Sequence, residues 1–148
     1  MIIVVQTVGL LMESIFAQLA LEGAAPLSEN IFWTRDHREA LAKILENREK
    51  EERTIVISSN IFHATLEHPE DDFMCGTLFA NAVKELDPGA WFFIFSTMPS
   101  EKTKNIDGYI PKGRSSGEKE FLEFLRVDFR QVQTFEDLYV LLPWIKSV

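Results

Sequence analysis

The chain has 148 residues, which is the size of one globular domain. An apolar fraction of 46% and a charged fraction of 26% are ordinary for a folded protein, and they exclude disordered, collagen-like and low-complexity classes. Acids outnumber bases by 23 to 15, giving a net charge of −8, so we expect no general binding to nucleic-acid phosphate or anionic lipid.

A single cysteine, Cys75, excludes an internal disulfide and a multi-thiolate zinc site. The first residues, MIIVVQ, carry no basic region and no cleavage-type site, and the apolar runs are much shorter than the ~18 residues of a membrane span. We therefore expect one cytoplasmic domain over residues 1–148, without a metal or cofactor.

Apolar, β-branched segments alternate along the chain with segments of helical periodicity. Strands are predicted at residues 2–6, 30–34, 54–58, 91–96 and 107–111. Helices are predicted at residues 8–21, from a capping box at Asp36 and Glu39 to about 52, at 74–86, at 118–126, and from a cap at Thr134 to Pro143. Residues 59–73 are expected to be irregular. This alternation predicts an α/β fold with a parallel five-stranded sheet and helices on both faces.

The helical periodicity also predicts which faces are buried. The first helix should pack Val8, Leu11, Met12, Ile15 and Leu19 on the sheet, and the second should pack Leu41, Ile44 and Leu45. Opposite the buried face of the first helix, Leu10, Ala17 and Leu21 form a stripe that another helix could cover. Two occupants compete for this stripe: a second copy of the chain, or the final segment with Tyr139, Leu142, Trp144 and Ile145.

Polar residues follow several predicted strands, and the carboxyl ends of parallel strands are where ligands collect in open α/β sheets. They are Gln6, Thr7, Ser58, Ser59, Asn60, Ser96, Thr97, Lys112, Gly113 and Arg114. Hydroxyls, amides and cations suit a small anion such as phosphate or sulfate, with Ser58, Ser59, Ser96, Thr97 and Lys112 as candidate ligands. They do not suit Mg²⁺, which requires carboxylates. The same side chains could equally satisfy the backbone groups at the strand ends.

Five strand–helix units alternate, Ser96 and Thr97 follow the fourth strand, and the segment DGYIPK places a lysine at the end of the fifth. In these features the chain resembles the receiver domains of response regulators. The resemblance covers residues 1–114 and implies a flavodoxin-like three-layer fold. It assigns the hydroxyl role to Ser96 or Thr97 and the lysine role to Lys112. Residues 115–148 are then a divergent C-terminal extension.

This chain departs from the receiver pattern at the positions of the residues that receivers use for phosphoryl transfer. Gln6 and Thr7 stand where receivers have an acidic pair, and Ser58 or Ser59 stands at the phosphoacceptor aspartate. The carboxylates that metal-assisted phosphoryl transfer requires are therefore absent from these positions. The stretch MPSEKTKNI is also too short for a full fourth helix. The resemblance therefore implies a degenerate receiver that is not phosphorylated on aspartate.

Other arrangements of reactive residues are weaker. His63, His68, Asp71 and Cys75 share one acidic segment, but their spacing matches no recognised metal motif. Ser59 and His63 are close in sequence without a G-x-S-x-G elbow, and no Gly-rich phosphate loop follows the first strand.

Two functions of different classes remain. The first is a non-catalytic regulatory module in signal transduction that acts by contact with another protein, with a weak homodimer through Leu10, Ala17 and Leu21. The second is a small flavodoxin-like enzyme or binder of a phosphorylated or carboxylated small molecule at the strand carboxyl ends.

Overall fold

The computed structural model describes residues 1–6, 9–23, 30–50, 52–59, 61–62, 74–96, 105–111 and 118–147. Within these ranges the strands are Ile2–Val5 (β1), Ile31–Thr34 (β2), Ile55–Ser59 (β3), Ile61–Phe62 (β4), Met74–Cys75 (β5), Trp91–Ser96 (β6), Gly108–Pro111 (β7) and Lys146–Ser147 (β8). The α-helices are Gly9–Leu21 (α1), His37–Asn47 (α2), Gly76–Leu86 (α3), Glu118–Leu125 (α4) and Phe135–Leu141 (α5). A 3-10 turn occupies Phe129–Gln131.

Five strands form the predicted parallel sheet, in the order β2-β1-β3-β6-β7. β1 lies between β2 and β3, with Ile2 opposite both Ile31 and Ile55. With helices on both faces, this strand order confirms the α/β, flavodoxin-like three-layer fold. β8 adds an antiparallel edge to β7, with Tyr109 opposite Lys146, which the sequence did not predict.

The continuous apolar sequence of β1 places one set of side chains in each of two cores, because successive strand residues point to opposite faces. Ile2 and Val4 pack with the buried faces of α1, α4 and α5. Ile3 and Val5 pack with α2 and α3 on the other face. Each core is therefore closed by helices.

The first helix buries Leu11, Met12, Ile15 and Leu19, as predicted, while Val8 lies outside the described residues. The prediction for α2 was wrong at Leu45, whose side chain is 47% exposed. The buried face of α2 consists of His37, Ala40, Ile44 and Asn47, at spacings of three and four residues, with Leu41 at its margin. Leu45 is rotated by about 100° from Ile44 and so points away from the sheet.

The helix ends show which capping signals operate. Asp36 accepts a hydrogen bond from Arg38 N at 2.9 Å, whereas the Glu39 carboxylate accepts one from Thr34 Oγ1 at 2.6 Å. Glu39 thus ties the helix to the end of β2. Thr134 and Asp137 form the full reciprocal capping box of α5, which ends at Leu141, two residues before Pro143.

The segment between β3 and α3 contains a short antiparallel ribbon, with Ile61 of β4 opposite Cys75 of β5. Met74 and Cys75 are therefore strand residues, and α3 starts at Gly76 rather than at the predicted residue 74. Residues 97–104, where a shortened fourth helix was expected, lie outside the described residues. In the described part of the chain, no helix is long and apolar enough to cross a membrane.

Candidate functional site

The carboxyl ends of β1, β3 and β6 meet at one edge of the sheet, as the strand order requires. Val5 lies opposite Ser58, Ser59 lies opposite Phe95, and Ser96 lies opposite Pro111. Gln6, which follows β1, accepts a hydrogen bond from Ser59 Oγ at 3.3 Å through its Oε1 atom. Residues distant in sequence thus share this edge.

Ser58 is one of the two strand-end serines, with Ser59, that were predicted to stand at the phosphoacceptor position. Its side chain is fully buried, and its hydroxyl donates a hydrogen bond to the Ser59 carbonyl at 2.8 Å. Both serine hydroxyls therefore already donate to acceptors within the protein. This geometry favours the structural role for Ser58 and Ser59, in which they satisfy polar groups at the strand ends.

Sequence reasoning missed Trp33 and Arg35 at this edge. Trp33 Nε1 donates to the Gln6 carbonyl at 2.9 Å and thereby ties the end of β2 to the residue after β1. The Arg35 guanidinium lies 5.4 Å from the centroid of the Trp33 ring, and its tip occupies the space beside Gly9 that a Cβ would need. The sequence feature that could have indicated this contact is the aromatic residue and the cation on either side of Thr34, the last residue of β2.

The remaining predicted ligands cannot be placed. Thr7, Asn60, Thr97, Lys112, Gly113 and Arg114 lie outside the described residues, as does the side chain of Ser96. The same holds for His63, His68, Asp71 and the Cys75 side chain. Among the residues that the structure does describe, no group of three or more His, Cys, Asp and Glu could hold a metal ion.

Asp107 fixes the start of the DGYIP segment and was also missed. Its Oδ2 atom accepts hydrogen bonds from Lys84 Nζ at 2.9 Å and from Phe92 N at 2.8 Å. Lys84 also donates to the Ala90 carbonyl. One carboxylate therefore joins α3, the start of β6 and the start of β7.

The stripe on α1 is exposed in the single chain. Leu10 and Leu21 are 80% and 84% exposed, and Ala17 is exposed between them. The final segment packs elsewhere: Leu142 and Ile145 are buried in the core, and Trp144 Nε1 donates to Glu123 Oε2 at 2.6 Å. The intramolecular competitor for the stripe therefore does not cover it.

A cavity of about 670 Å³ lies at the opposite edge of the sheet, where the parallel strands begin. Ile2 and Ile55 belong to its walls, together with residues 125 and 127–130 of the C-terminal extension. The prediction placed ligands only at the carboxyl ends of the strands, so this cavity was not anticipated.

Comparisons with protein-family models, with curated proteins and with solved structures give no match to this chain. The resemblance to receiver domains therefore stays a prediction from the sequence.

Proposed function

We propose that this protein is a non-catalytic regulatory module of the receiver type, which acts through protein contact and is not phosphorylated on aspartate. The observation that carries the proposal is the state of Ser58. A serine at the acceptor position cannot form an acyl phosphate, and here its hydroxyl is buried against the Ser59 carbonyl. The parallel strand order β2-β1-β3-β6-β7 supports the receiver-type architecture.

The chemistry around Ser58 supports the same reading. Gln6 follows β1 where a receiver has carboxylates, and its side-chain oxygen accepts the Ser59 hydroxyl. A neutral amide is a poor substitute for the carboxylates that hold Mg²⁺ and balance the charge of a transferring phosphoryl group. Contact with another protein, rather than phosphoryl chemistry, is then the means by which such a fold signals.

The contact surface that we assign is the stripe on α1, and the partner is a second copy of the chain. Leu10, Ala17 and Leu21 follow spacings of seven and four residues, which fit the seam between a pair of packed helices. In an antiparallel two-fold pair, Leu10 meets Leu21 of the second copy, while Ser14, beside the stripe, donates to Glu118 Oε1 of its own chain at 2.7 Å. Small residues at the centre let the backbones approach, and large residues fill both ends.

The charges beside the stripe suit this pairing. Glu22 is already paired with Arg126 of its own chain. The stripe is short, so the expected dimer is weak.

Incubation with acetyl phosphate and Mg²⁺, followed by intact mass measurement, tests the proposed function. We expect an unchanged mass, with a receiver that retains its acidic residues in the same reaction as the positive control. A stoichiometric gain of one phosphoryl group on this chain would overturn the proposal.

A further inference from the structure

The cavity at the amino ends of the strands combines an apolar interior with charged groups at its margin. Ile2, Ile55, Leu125 and Val132 are buried, and Val127 and Phe129 are partly buried beside them. Asn30, Glu52, Arg53, Asp128, Arg130 and Gln133 supply polar atoms. A volume of about 670 Å³ lies within the range of clefts and cavities that bind small organic molecules.

Arg53 is held in a defined position at this margin. Its guanidinium carbon lies 3.9 Å from the centroid of the Trp91 ring, and Nη2 donates to the Gln133 carbonyl at 3.2 Å. The Trp91 ring and the Gln133 carbonyl orient the guanidinium, and neither group neutralises its positive charge. Less side-chain freedom is lost when such a pre-positioned group binds an anion.

The other charges at the cavity are paired. Arg130 Nε lies 3.0 Å from Asp128 Oδ1, and Arg130 Nη2 also reaches Oδ2 of the same carboxylate. Glu52 Oε2 lies 3.8 Å from the α-amino nitrogen of Met1. Since each acid in the cavity lining has a cationic partner, Arg53 is the cation of this lining that has no ion-pair partner among the described residues.

We propose that this cavity binds an amphipathic small molecule, with an apolar body and one carboxylate, and that the carboxylate pairs with Arg53. The apolar body would contact Val127 and Phe129, which are partly exposed, with Ile2 and Val132 beside them. Burial of the body supplies the driving force, and the guanidinium selects the anion over a neutral molecule of the same length. The site is separate from the strand carboxyl ends and from the stripe on α1.

Decanoate serves as the probe and 1-decanol as its neutral counterpart, in titrations followed by backbone amide NMR below the concentrations at which either aggregates. We expect saturable one-to-one binding of decanoate, with shift changes at residues 53, 55 and 127–133 and weaker binding of decanol. Arg53→Gln should weaken decanoate binding about tenfold, as expected for loss of a charged hydrogen-bond donor. Arg53→Lys should recover part of the affinity.

Arg35→Gln is the matched control, because Arg35 also lies over a tryptophan ring but at the opposite edge of the sheet. It should leave decanoate binding unchanged, and thermal unfolding checks that both glutamine variants are folded. Equal binding by Arg53→Gln and the parent would overturn the proposal. So would equal binding of decanol, or shift changes confined to α1.

Discussion

Lys84 Nζ lies 2.9 Å from Asp107 Oδ2, and the same carboxylate oxygen accepts the Phe92 amide at 2.8 Å. Both side chains are mostly buried, and each also has a backbone partner: Lys84 donates to the Ala90 carbonyl, and Asp107 accepts from the Phe92 amide. The pair connects α3 to the residues that precede β7, and it thereby positions the segment leading to Lys112. Its role is structural.

Asp107→Ala should destabilise the fold by about 1–3 kcal/mol, because it leaves the Phe92 amide and one Lys84 donor without their acceptor. Urea unfolding followed by circular dichroism measures the change. The control is Asp87→Ala, which removes a carboxylate that accepts the exposed Gly89 amide at 3.2 Å. If the two variants lose equal stability, the pair with Lys84 contributes nothing particular.

Thr134→Ala should cost about 1 kcal/mol of stability, because Thr134 Oγ1 accepts the Asp137 amide at the start of α5. Leu138 in that helix is fully buried in the core, so fraying of α5 loosens packing on the sheet. Urea unfolding at pH 7 measures the loss. Thr134→Ser keeps the acceptor oxygen and should retain nearly all of the stability, whereas an equal loss in Thr134→Ser would assign the effect to the missing methyl group.

The Asp137 carboxylate, which is the other half of this capping box, predicts a pH dependence of the free energy of unfolding. Hydrogen bonds from the Thr134 and Gln133 amides hold the pKa of the Asp137 carboxyl below its ordinary value of 3.8. The unfolded chain therefore binds this proton first as the pH falls. The contribution of Asp137 is complete above its unfolded pKa and is lost as the pH falls through the folded one.

We therefore expect Asp137→Asn to be less stable than the parent at neutral pH, with a difference that shrinks as the pH falls below about 4. Urea unfolding of both proteins across this range gives the difference directly. A difference that stays constant from neutral to acidic pH would contradict the assignment of the carboxylate.

The parts of the fold that sequence could predict are those set by local periodicity. β1 is a continuous β-branched run, and α1 places four apolar residues on one face, so both were located to within a residue or two. β4, β5 and β8 are two residues long, and each depends on a partner elsewhere in the chain, as Lys146 of β8 depends on Tyr109 of β7. No periodicity exists over two residues, and these strands were missed.

The candidate site shows the same division. Strand order follows from the alternation of elements, so Gln6 and Ser59 could be expected at one edge. The spacing of residues in the sequence does not predict which acceptor each serine hydroxyl bonds to. Ser58, for example, donates to the carbonyl of the next residue in the chain. The cavity at the opposite edge depends on the path of residues 127–133, for which the sequence offers no regular pattern.

Binding of a small anion at the strand carboxyl ends remains the alternative to the proposed module. Because Ser58 and Ser59 donate to acceptors within the protein, we expect phosphate-bearing metabolites and sulfate to raise the melting temperature only weakly and without selectivity. A thermal-shift series measures this. A shift of several degrees with one metabolite, lost in Lys112→Ala but retained in the exposed control Lys119→Ala, would establish the alternative and contradict our proposal.

The last prediction concerns the stripe formed by Leu10, Ala17 and Leu21. Covering both leucines contributes roughly 3–5 kcal/mol of apolar transfer free energy before the costs of association, which is enough for a weak dimer only. Light scattering over a concentration series should therefore show a monomer–dimer equilibrium. Leu10→Glu combined with Leu21→Glu should give a folded monomer, since both side chains are exposed in the single chain.

Leu45→Glu combined with Leu78→Glu is the matched control, because it makes the same change in charge at two exposed leucines on α2 and α3. This variant should dimerise like the parent. Circular dichroism of both double variants reports whether the fold is intact. A parent that stays monomeric at high concentration, equal dissociation of the control, or unfolding of the α1 variant would each show that Leu10 and Leu21 do not form a dimer interface.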